Sequence, residues 1–179
     1  MDNNPNSFHI ETFGCKVNYY DTGLLQKRLQ KSEFVLDKEA PKVHILNTCA
    51  VTEEATKEAL RRIRRIKAKS PFSTIVVAGC AAQVDTEKFS EMPGVDLILA
   101  NSHKGEMESI LRQHYAGTLK QKVFKSNIFK KAELGVGGGL EAEHTRSFLK
   151  IQDGCNSFCT YCVIPFARGK SRSIDIDTL

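Results

Sequence analysis

The hydrophobic pattern of the first 116 residues alternates between short apolar runs and longer segments with apolar positions every three or four residues. The short runs predict strands and the longer segments predict helices. Strands are predicted over residues 8–13, 43–46, 74–78 and 95–99. The third run is β-branched and almost continuously apolar, which is typical of a strand buried on both faces of a parallel sheet.

Four helices are predicted beside these strands. The first begins at Asn18, which we expect to be its N-cap, with Asp21 in the first turn. The second is long, is capped at Thr52 or a neighbour, and carries an apolar stripe at helical spacing. The other two are predicted over residues 84–90, where the pattern is weaker, and 105–114.

Strands and helices that alternate at this spacing predict an open parallel α/β sheet in three layers, of the flavodoxin or Rossmann kind, over residues 1–116. Residues 117–145 lose periodicity and include the glycine run at 135–140. That run follows no clear strand and lacks the Lys-Ser/Thr pair of a nucleotide-binding loop, so we interpret residues 117–145 as a flexible linker. A new strand over 147–152 begins a second segment, residues 146–179.

The amino-acid composition limits the classes of protein to which the chain can belong. The 41% hydrophobic and 26% charged residues are typical of a soluble globular chain, and no apolar run is long enough to span a membrane. The N-terminus lacks the features of a signal peptide. We therefore expect a cytoplasmic protein, in which six cysteines more often serve as metal ligands or reactive thiols than as disulfides. The net charge of +5 permits a polyanionic partner without requiring one.

One cysteine group is a compact C-x3-C-x2-C array formed by Cys155, Cys159 and Cys162. Three thiolates on one short loop can bind a single metal centre and leave one coordination position open. A zinc site would need a fourth ligand, and His144, the only nearby histidine, precedes the strand that leads into the loop. The array therefore favours an iron–sulfur cluster, with zinc as the alternative.

A second cysteine group emerges only when the predicted fold is considered. Cys15, Cys49 and Cys80 are far apart in sequence, but each follows a predicted strand. Because the carboxyl ends of parallel strands share one edge of the sheet, we expect these three side chains to converge there on a second metal site. On pattern alone, three separate buried cysteines are an equally good interpretation.

Basic residues are concentrated in two places. In the long helix they could contact nucleic acid phosphates, although a solvated helix face is somewhat favoured. These residues are Lys57, Arg61, Arg62, Arg64, Arg65, Lys67 and Lys69. Near the cysteine loop, Arg168, Lys170 and Arg172 add positive charge where an anionic substrate or cofactor would lie.

The motifs around the cysteines resemble those of a known family, the radical S-adenosylmethionine (SAM) methylthiotransferases. Residues 13–18 (FGCKVN) with Asp21, residues 47–52 (NTCAVT) and residues 79–83 (GCAAQ) resemble its three N-terminal signature blocks. Residues 145–173 resemble the start of its radical SAM domain. The similarity extends in the right order over nearly the whole chain.

The resemblance implies two four-iron–four-sulfur clusters. The C-x3-C-x2-C array would hold the cluster whose open iron binds SAM, and Tyr161 matches the aromatic residue near the SAM adenine. The three strand-end cysteines would hold an auxiliary cluster that carries the methylated sulfur. One electron, from a reductant such as flavodoxin or ferredoxin, would cleave SAM to a radical that activates an inert C–H bond for methylthio transfer.

The residues of these motifs most resemble those of the branch that modifies C2 of N6-threonylcarbamoyladenosine in the anticodon stem-loop of tRNA. The isopentenyladenosine branch usually has Gln-Met-Asn where this chain has Lys16, Val17 and Asn18. A third branch, acting on an aspartate of a ribosomal protein, is the other alternative. No membrane or DNA partner is expected.

Family members continue through a complete SAM-binding barrel, whereas this chain contains only the beginning of one. We therefore expect a fragment of the enzyme or a broken reading frame, in which the six cysteines are ligands but activity of the chain by itself is doubtful. A non-catalytic iron–sulfur or electron-transfer module and a zinc-stabilised interaction domain are the alternative functions.

Overall fold

The computed structural model describes residues 6–131 and 148–178, and most of them build one sheet with helices on both faces. The strands are β1 (Ser7–Thr12), β2 (Val35–Leu36), β3 (Val43–Thr48), β4 (Thr74–Gly79), β5 (Leu97–Ala100), β6 (Val123–Phe124), β7 (Gln152–Asp153) and β8 (Arg172–Ser173). The helices are α1 (Lys16–Lys31), α2 (Glu53–Lys69), α3 (Cys80–Val84), α4 (Thr86–Ser90), α5 (Met107–Tyr115) and α6 (Ile164–Arg168). Short 3-10 turns cover Lys104–Glu106, Ile128–Lys130 and Ile176–Thr178.

The main sheet has six strands in the order β2-β1-β3-β4-β5-β6, and every neighbouring pair is parallel. The predicted α/β class and parallel sheet are therefore confirmed. β4 lies in the middle and is buried along its whole length, as its apolar run predicted. None of the helices in the described part of the chain is long and apolar enough to cross a membrane.

Two hydrophobic clusters cover the faces of this sheet and give the predicted three layers. On one face, α1 and α5 pack on strand residues that include Ile45, Val76 and Leu99. On the other, α2, α3 and α4 pack on residues that include Ile75 and Val77. Neighbouring residues of β4 thus point into different cores, as the two-residue period of a strand requires.

The long helix α2 forms as its sequence predicts. The Thr52 side chain accepts a hydrogen bond from the backbone N–H of Ala55 at 3.3 Å, so Thr52 is the N-cap. Ala59, Ile63 and Ile66 are buried at helical spacing. The capping residue and the apolar stripe could both be predicted because each depends only on residues close together in the sequence.

The start of α1 differs from the prediction. The helix begins at Lys16 with Cys15 in the N-cap position, so Asn18 lies inside the first turn. Its amide is fully buried and donates to the carbonyl oxygens of Phe13 at 2.8 Å and Thr48 at 3.0 Å. Asn18 is therefore not a cap. It ties α1 to the chain ends of β1 and β3.

The start of the third helical region and the end of the sheet also differ from the prediction, in both cases for local reasons. A helical turn, α3, starts at Cys80, ahead of the predicted helix over residues 84–90, because Gly79 at φ +97° turns the chain directly out of β4. The two-residue strands β2 and β6 are too short to show a period. β6 pairs with β5 within the stretch predicted to be a linker, so the sheet extends beyond residue 116. The glycine run at 135–140 lies outside the described residues.

The second segment contains less strand than predicted. Instead of a strand over residues 147–152, the described residues show β7, which pairs antiparallel with β8. Between these two strands lie the cysteine loop and α6. Residues 148–178 thus form a small hairpin unit, and they contain no barrel.

Gly79→Ala should destabilise the fold strongly. The backbone there (φ +97°, ψ −159°) lies in a region that is essentially restricted to glycine, and an added Cβ would lie 2.7 Å from both the Thr48 nitrogen and Asn47 Oδ1. We expect a loss of roughly 3 kcal/mol in the free energy of unfolding, measured by urea denaturation. The control is Gly117→Ala, where φ is +67° but no atom lies within 4 Å of the added Cβ. Its cost should be only about 1 kcal/mol. Equal losses would contradict the close approach.

Candidate metal centre

The three strand-end cysteines lie at one edge of the sheet. Cys49 and Cys80 directly follow β3 and β4, and Cys15 follows β1 after a two-residue turn. These strands are neighbours, and the register pairs Thr12 with Asn47 and Thr48 with Gly79. Their carboxyl ends are therefore side by side, as the parallel arrangement predicted.

The turn before Cys15 passes directly over Cys49. Gly14 has φ +96°, and a Cβ on it would overlap the side chain of Cys49, 2.5 Å from its Sγ. Cys49 is buried, and its Sγ accepts a hydrogen bond from the Val51 N–H at 3.4 Å. Cys15 is exposed. Glycine at position 14 is thus what allows two of the three cysteine-bearing turns to touch.

Cys80 is held by two buried amides. Its thiol donates to Asn18 Oδ1 at 3.8 Å, and Asn101 Nδ2 donates to its Sγ at 3.5 Å. A donor aimed at sulfur stabilises the thiolate, which is the form that binds metal. Cys80 therefore has a prepared polar setting and is not a cysteine that merely fills apolar space.

The C-x3-C-x2-C loop stands at the surface between β7 and α6. Cys155 and Cys162 are partly exposed and Cys159 is exposed. The Cys155 N–H donates to the Gly169 carbonyl at 3.1 Å, which closes the base of the loop. Hydrogen bonds from the backbone and side chain of Ser157 lower the pKa of the Cys155 thiol. The Tyr161 side chain is 90% exposed.

The donor set suits a larger group better than a single ion. Tetrahedral zinc with sulfur ligands needs sulfur atoms about 4 Å apart. Among the described residues, the only three metal-ligand atoms that all lie within 4.8 Å of one another belong to His9, Glu11 and His44. Neither cysteine group is that compact, whereas thiolates on adjacent turns with amide donors match what an iron–sulfur cluster uses.

A buried ionic network that the sequence did not reveal lies next to these cysteines. The Asp21 carboxylate contacts three cations, with Lys150 Nζ at 2.7 Å, Lys104 Nζ at 3.2 Å and Arg168 Nη1 at 3.3 Å. Arg168 also contacts Asp153 at 3.0 Å. Asp21 is on α1 and Lys104 precedes α5, while the other three belong to the second segment. The network therefore fastens the cysteine loop to the sheet.

The same amides that contact Cys80 also contact the second segment. Arg168 Nη2 donates to Asn18 Oδ1 at 2.6 Å, and Asn101 Nδ2 donates to the Ala167 carbonyl at 2.9 Å. Two residues, Asn18 and Asn101, thus join the sulfur of one cysteine group to the helix that follows the other. The two predicted metal sites lie on one polar framework.

The charges of this framework stabilise one another. Burial by itself would raise the pKa of Asp21, but Lys104, Arg168 and Lys150 together lower it well below its usual range. Burial likewise disfavours the charged form of Arg168, but the negative charges of Cys80, Asp21 and Asp153 raise its pKa. Both groups are therefore ionised at neutral pH.

A cavity of about 280 Å³ opens beside the network. Its lining includes three carboxylates and six cations, which are Arg28, Lys104, Lys131, Lys150, Arg168 and Arg172. Burial, with the nearby charges of Lys104 and Arg172, lowers the pKa of Lys131 to about 8. Positive charge is thus in excess, as expected near an anion site. Of the three basic residues predicted there, Arg168 and Arg172 line the cavity, whereas Lys170 is exposed and does not.

Most of the basic run in α2 is engaged in surface ion pairs. Arg61 pairs with Glu54 and Glu58, and Lys67 pairs with Asp96 at 3.1 Å. Lys57 and Arg62 also have carboxylate partners. The exposed cations left on this helix are Arg64, Arg65 and Lys69. The solvated-face interpretation therefore fits most of the run.

One signal in the sequence could have pointed to the network. Asn18 and Asp21 are three residues apart, so they share the face of α1 that carries the buried Leu25. Polar residues on an apolar face require buried partners. Their partners at positions 101, 104, 150 and 168 are too distant in sequence to be assigned without the fold.

Comparisons with known proteins agree with the motif resemblance. A family model described as "Uncharacterized protein family UPF0004" matches residues 7–100. The chain is 39% identical over 173 residues to the threonylcarbamoyladenosine tRNA methylthiotransferase MtaB of Aquifex aeolicus (strain VF5), covering 95% of this chain and 42% of that protein. It is 37% identical over 172 residues to MtaB of Rickettsia prowazekii (strain Madrid E), with 95% and 38% covered.

A second kind of relative is slightly less similar. The tRNA-2-methylthio-N(6)-dimethylallyladenosine synthase of Thermodesulfovibrio yellowstonii (strain ATCC 51303 / DSM 11347 / YP87) is 30% identical over 177 residues, with 96% of this chain and 40% of that protein covered. The chain thus spans about two fifths of the length of the curated relatives it matches.

Asp21→Asn should destabilise the protein by roughly 3 kcal/mol at pH 7, because it leaves buried cations without their shared counter-charge. The folded-state pKa of Asp21 is lowered, so its stabilising effect is complete above the ordinary carboxyl pKa of about 4 and is lost as the pH falls below it. Urea denaturation of both proteins from pH 7 to pH 3 should show a constant difference that shrinks below about pH 4.

The matched control for this prediction is Glu108→Gln. Glu108 forms an exposed ion pair with Arg112 at 3.2 Å, and its loss should cost less than about 0.5 kcal/mol. If Asp21→Asn were no more destabilising than this control, the network would not hold the second segment in place.

Proposed function

The chain belongs to the UPF0004 family, which forms the N-terminal domain of MtaB-type methylthiotransferases, and we propose that it supplies both cysteine sites of a tRNA-modifying enzyme. That enzyme transfers a methylthio group to C2 of N6-threonylcarbamoyladenosine by radical SAM chemistry. The proposal draws on the names of the relatives and on one structural observation above all. The two cysteine groups lie on a common framework, bridged by Asn18 and Asn101.

Each cysteine group has a separate proposed role. Cys15, Cys49 and Cys80 hold the auxiliary four-iron–four-sulfur cluster, and the loop cysteines at 155, 159 and 162 hold the one that binds SAM. When bound, these clusters and SAM supply the electron, the hydrogen-abstracting radical and the sulfur. Three-cysteine ligation suits this chemistry because it leaves one iron of each cluster open.

The surrounding residues prepare both sites for anionic sulfur. The Val51 N–H and the Asn101 amide donate to Cys49 and Cys80, and the Ser157 N–H donates to Cys155 at 3.5 Å. Such hydrogen bonds stabilise thiolate ligands and adjust the reduction potential of a bound cluster. Tyr161, exposed beside the last cysteine, is free to contact the SAM adenine.

The cationic cavity supports the threonylcarbamoyl branch. A threonylcarbamoyl group ends in a carboxylate, whereas a dimethylallyl group is uncharged. A cavity with excess positive charge beside the Asp21 network favours the charged group, because a buried cation gains from an anionic partner. The dimethylallyladenosine branch is the first alternative. An aspartate of a ribosomal protein, although also anionic, is the second, and the names of the relatives cited above give it no support.

The proposed partners follow from this chemistry. The substrate is the anticodon stem-loop of tRNA, whose phosphates the exposed Arg64, Arg65 and Lys69 of α2 are able to contact. A one-electron reductant of the flavodoxin or ferredoxin type supplies the electron. We propose a cytoplasmic location and expect no membrane or DNA partner.

A non-catalytic iron–sulfur module is the second candidate for the chain by itself. It is favoured by the absence of a barrel from residues 148–178, because a SAM-binding cluster needs surrounding structure to direct its radical. Incubation of the reconstituted chain with SAM and dithionite separates the two functions. Formation of 5′-deoxyadenosine supports the catalytic role, and its absence supports the module.

Anaerobic reconstitution with iron and sulfide should load about eight irons per chain, measured by iron analysis. The double variants Cys49→Ser/Cys80→Ser and Cys159→Ser/Cys162→Ser should each retain about four, because each removes one site only. Tyr161→Phe is the control and should load as fully as the wild type. A wild-type chain that contains zinc and no iron after anaerobic purification would exclude the proposed clusters.

Binding of anticodon stem-loop RNA should depend on the modified base. We expect the chain to bind RNA with the threonylcarbamoyl group about tenfold more tightly than the same RNA with a dimethylallyl group, since one charge-assisted contact contributes on this scale. Lys131→Gln should remove the preference, while Lys170→Gln, outside the cavity, should preserve it. Fluorescence anisotropy at fixed salt measures both, and equal binding of the two RNAs would refute the assignment of the cavity.

A further inference from the structure

Two histidines and a glutamate lie together on the sheet, away from every cysteine. His9 and Glu11 are two residues apart on β1, so they project from the same face. His44 on β3 is the direct cross-strand neighbour of His9. The three side chains therefore occupy one small area on the face covered by α2.

The polar atoms of this group lack the partners that burial requires. Glu11 Oε1 and both ring nitrogens of His44 are buried, and none has a hydrogen-bond partner among the described residues. A buried polar atom without a partner destabilises the folded state. A neutral imidazole offers one lone pair, so Glu11 Oε1 and one nitrogen of His44 are together available to a ligand that accepts electron pairs.

The spacing of the free atoms matches a metal ion. One ligand atom from each of the three residues lies within 4.8 Å of the others, and His9 Nδ1 is 3.9 Å from Glu11 Oε1. That separation is too long for a hydrogen bond. In tetrahedral zinc sites with nitrogen and oxygen ligands the donor atoms are about 3.4 Å apart, so movements of roughly 1 Å complete the site.

A neighbouring residue already orients the carboxylate. Arg62 on α2 donates from Nε to Glu11 Oε2 at 2.6 Å, which leaves Oε1 directed toward the imidazoles. Outer contacts of this kind fix the ligands of many metal sites. Burial lowers the pKa of His44 and of His9, and the neutral imidazole is the form that binds metals.

We propose that His9, Glu11 and His44 form a binding site for a single divalent transition ion, such as Zn²⁺, with solvent as a further ligand. Imidazole and carboxylate donors suit zinc and its neighbours, while the cysteine groups suit iron–sulfur clusters. The ion joins β1 to β3, and through Arg62 it supports the position of α2. The positive charge of Arg62 opposes the ion and lowers the affinity of the site.

The test compares zinc binding to the wild type, His44→Ala and the control His114→Ala, with the cysteine sites first filled by iron–sulfur reconstitution. His114 lies on α5, outside the group. Calorimetric titration with Zn²⁺ at pH 7.5 should give one further equivalent for the wild type and the control. His44→Ala should bind at least tenfold more weakly.

Spectroscopy distinguishes this site from the cysteines. Co²⁺ bound by imidazole and carboxylate lacks the intense sulfur-to-metal charge-transfer bands of thiolate sites, so the extra equivalent should be free of them. If circular dichroism shows that His44→Ala does not fold in EDTA, Glu11→Gln replaces it in the zinc titration, and the same loss of affinity is expected. Equal zinc binding by the variant and the wild type, or no binding to the wild type, would overturn the proposal and would leave the cluster assignment untouched.

Discussion

The attraction between one buried carboxylate and three cations from two distant parts of the chain supports the arrangement of the whole candidate site. Asp21 on α1 receives Lys104 from the turn before α5, and Lys150 and Arg168 from the second segment. Buried charges of this kind are stable only when they remain together, because each is costly alone. The paired charges therefore hold the cysteine loop in position, although each strand of the hairpin that contains the loop is only two residues long.

The sheet provides the other constraint. Because β1, β3 and β4 are adjacent and parallel, the chain leaves all three at the same edge, and a cysteine placed after each strand arrives in the same region. Glycines complete the arrangement where the turns are tight. Gly14 permits contact with Cys49, and Gly79 lets α3 start at Cys80. Topology thus places at one edge of the sheet three cysteines that are far apart along the chain.

Sequence reasoning succeeded where the signal was local or periodic. The buried β4 and the parallel order followed from the apolar period, and the N-cap of α2 followed from Thr52. The placement of Cys15, Cys49 and Cys80 at one edge of the sheet followed from the fold class, and their role as ligands stays a prediction. It failed for Asn18, because burial decides whether an asparagine caps a helix or joins strands. It also missed β6, which is too short to show a period. The Asp21 network depends on long-range pairing, for which one sequence carries no direct signal.

The balance of charge connects the two cysteine groups. Lys104, Lys150, Arg168 and Arg172 bring four positive charges to the framework, and Asp21 and Asp153 supply two negative ones. Positive charge is therefore in excess on the side of the framework that faces the cavity. Arg168 donates to Asn18 Oδ1, which also accepts from the Cys80 thiol, and Arg168 lies six residues after the last cysteine of the loop. One guanidinium group thus links the surroundings of both cysteine groups.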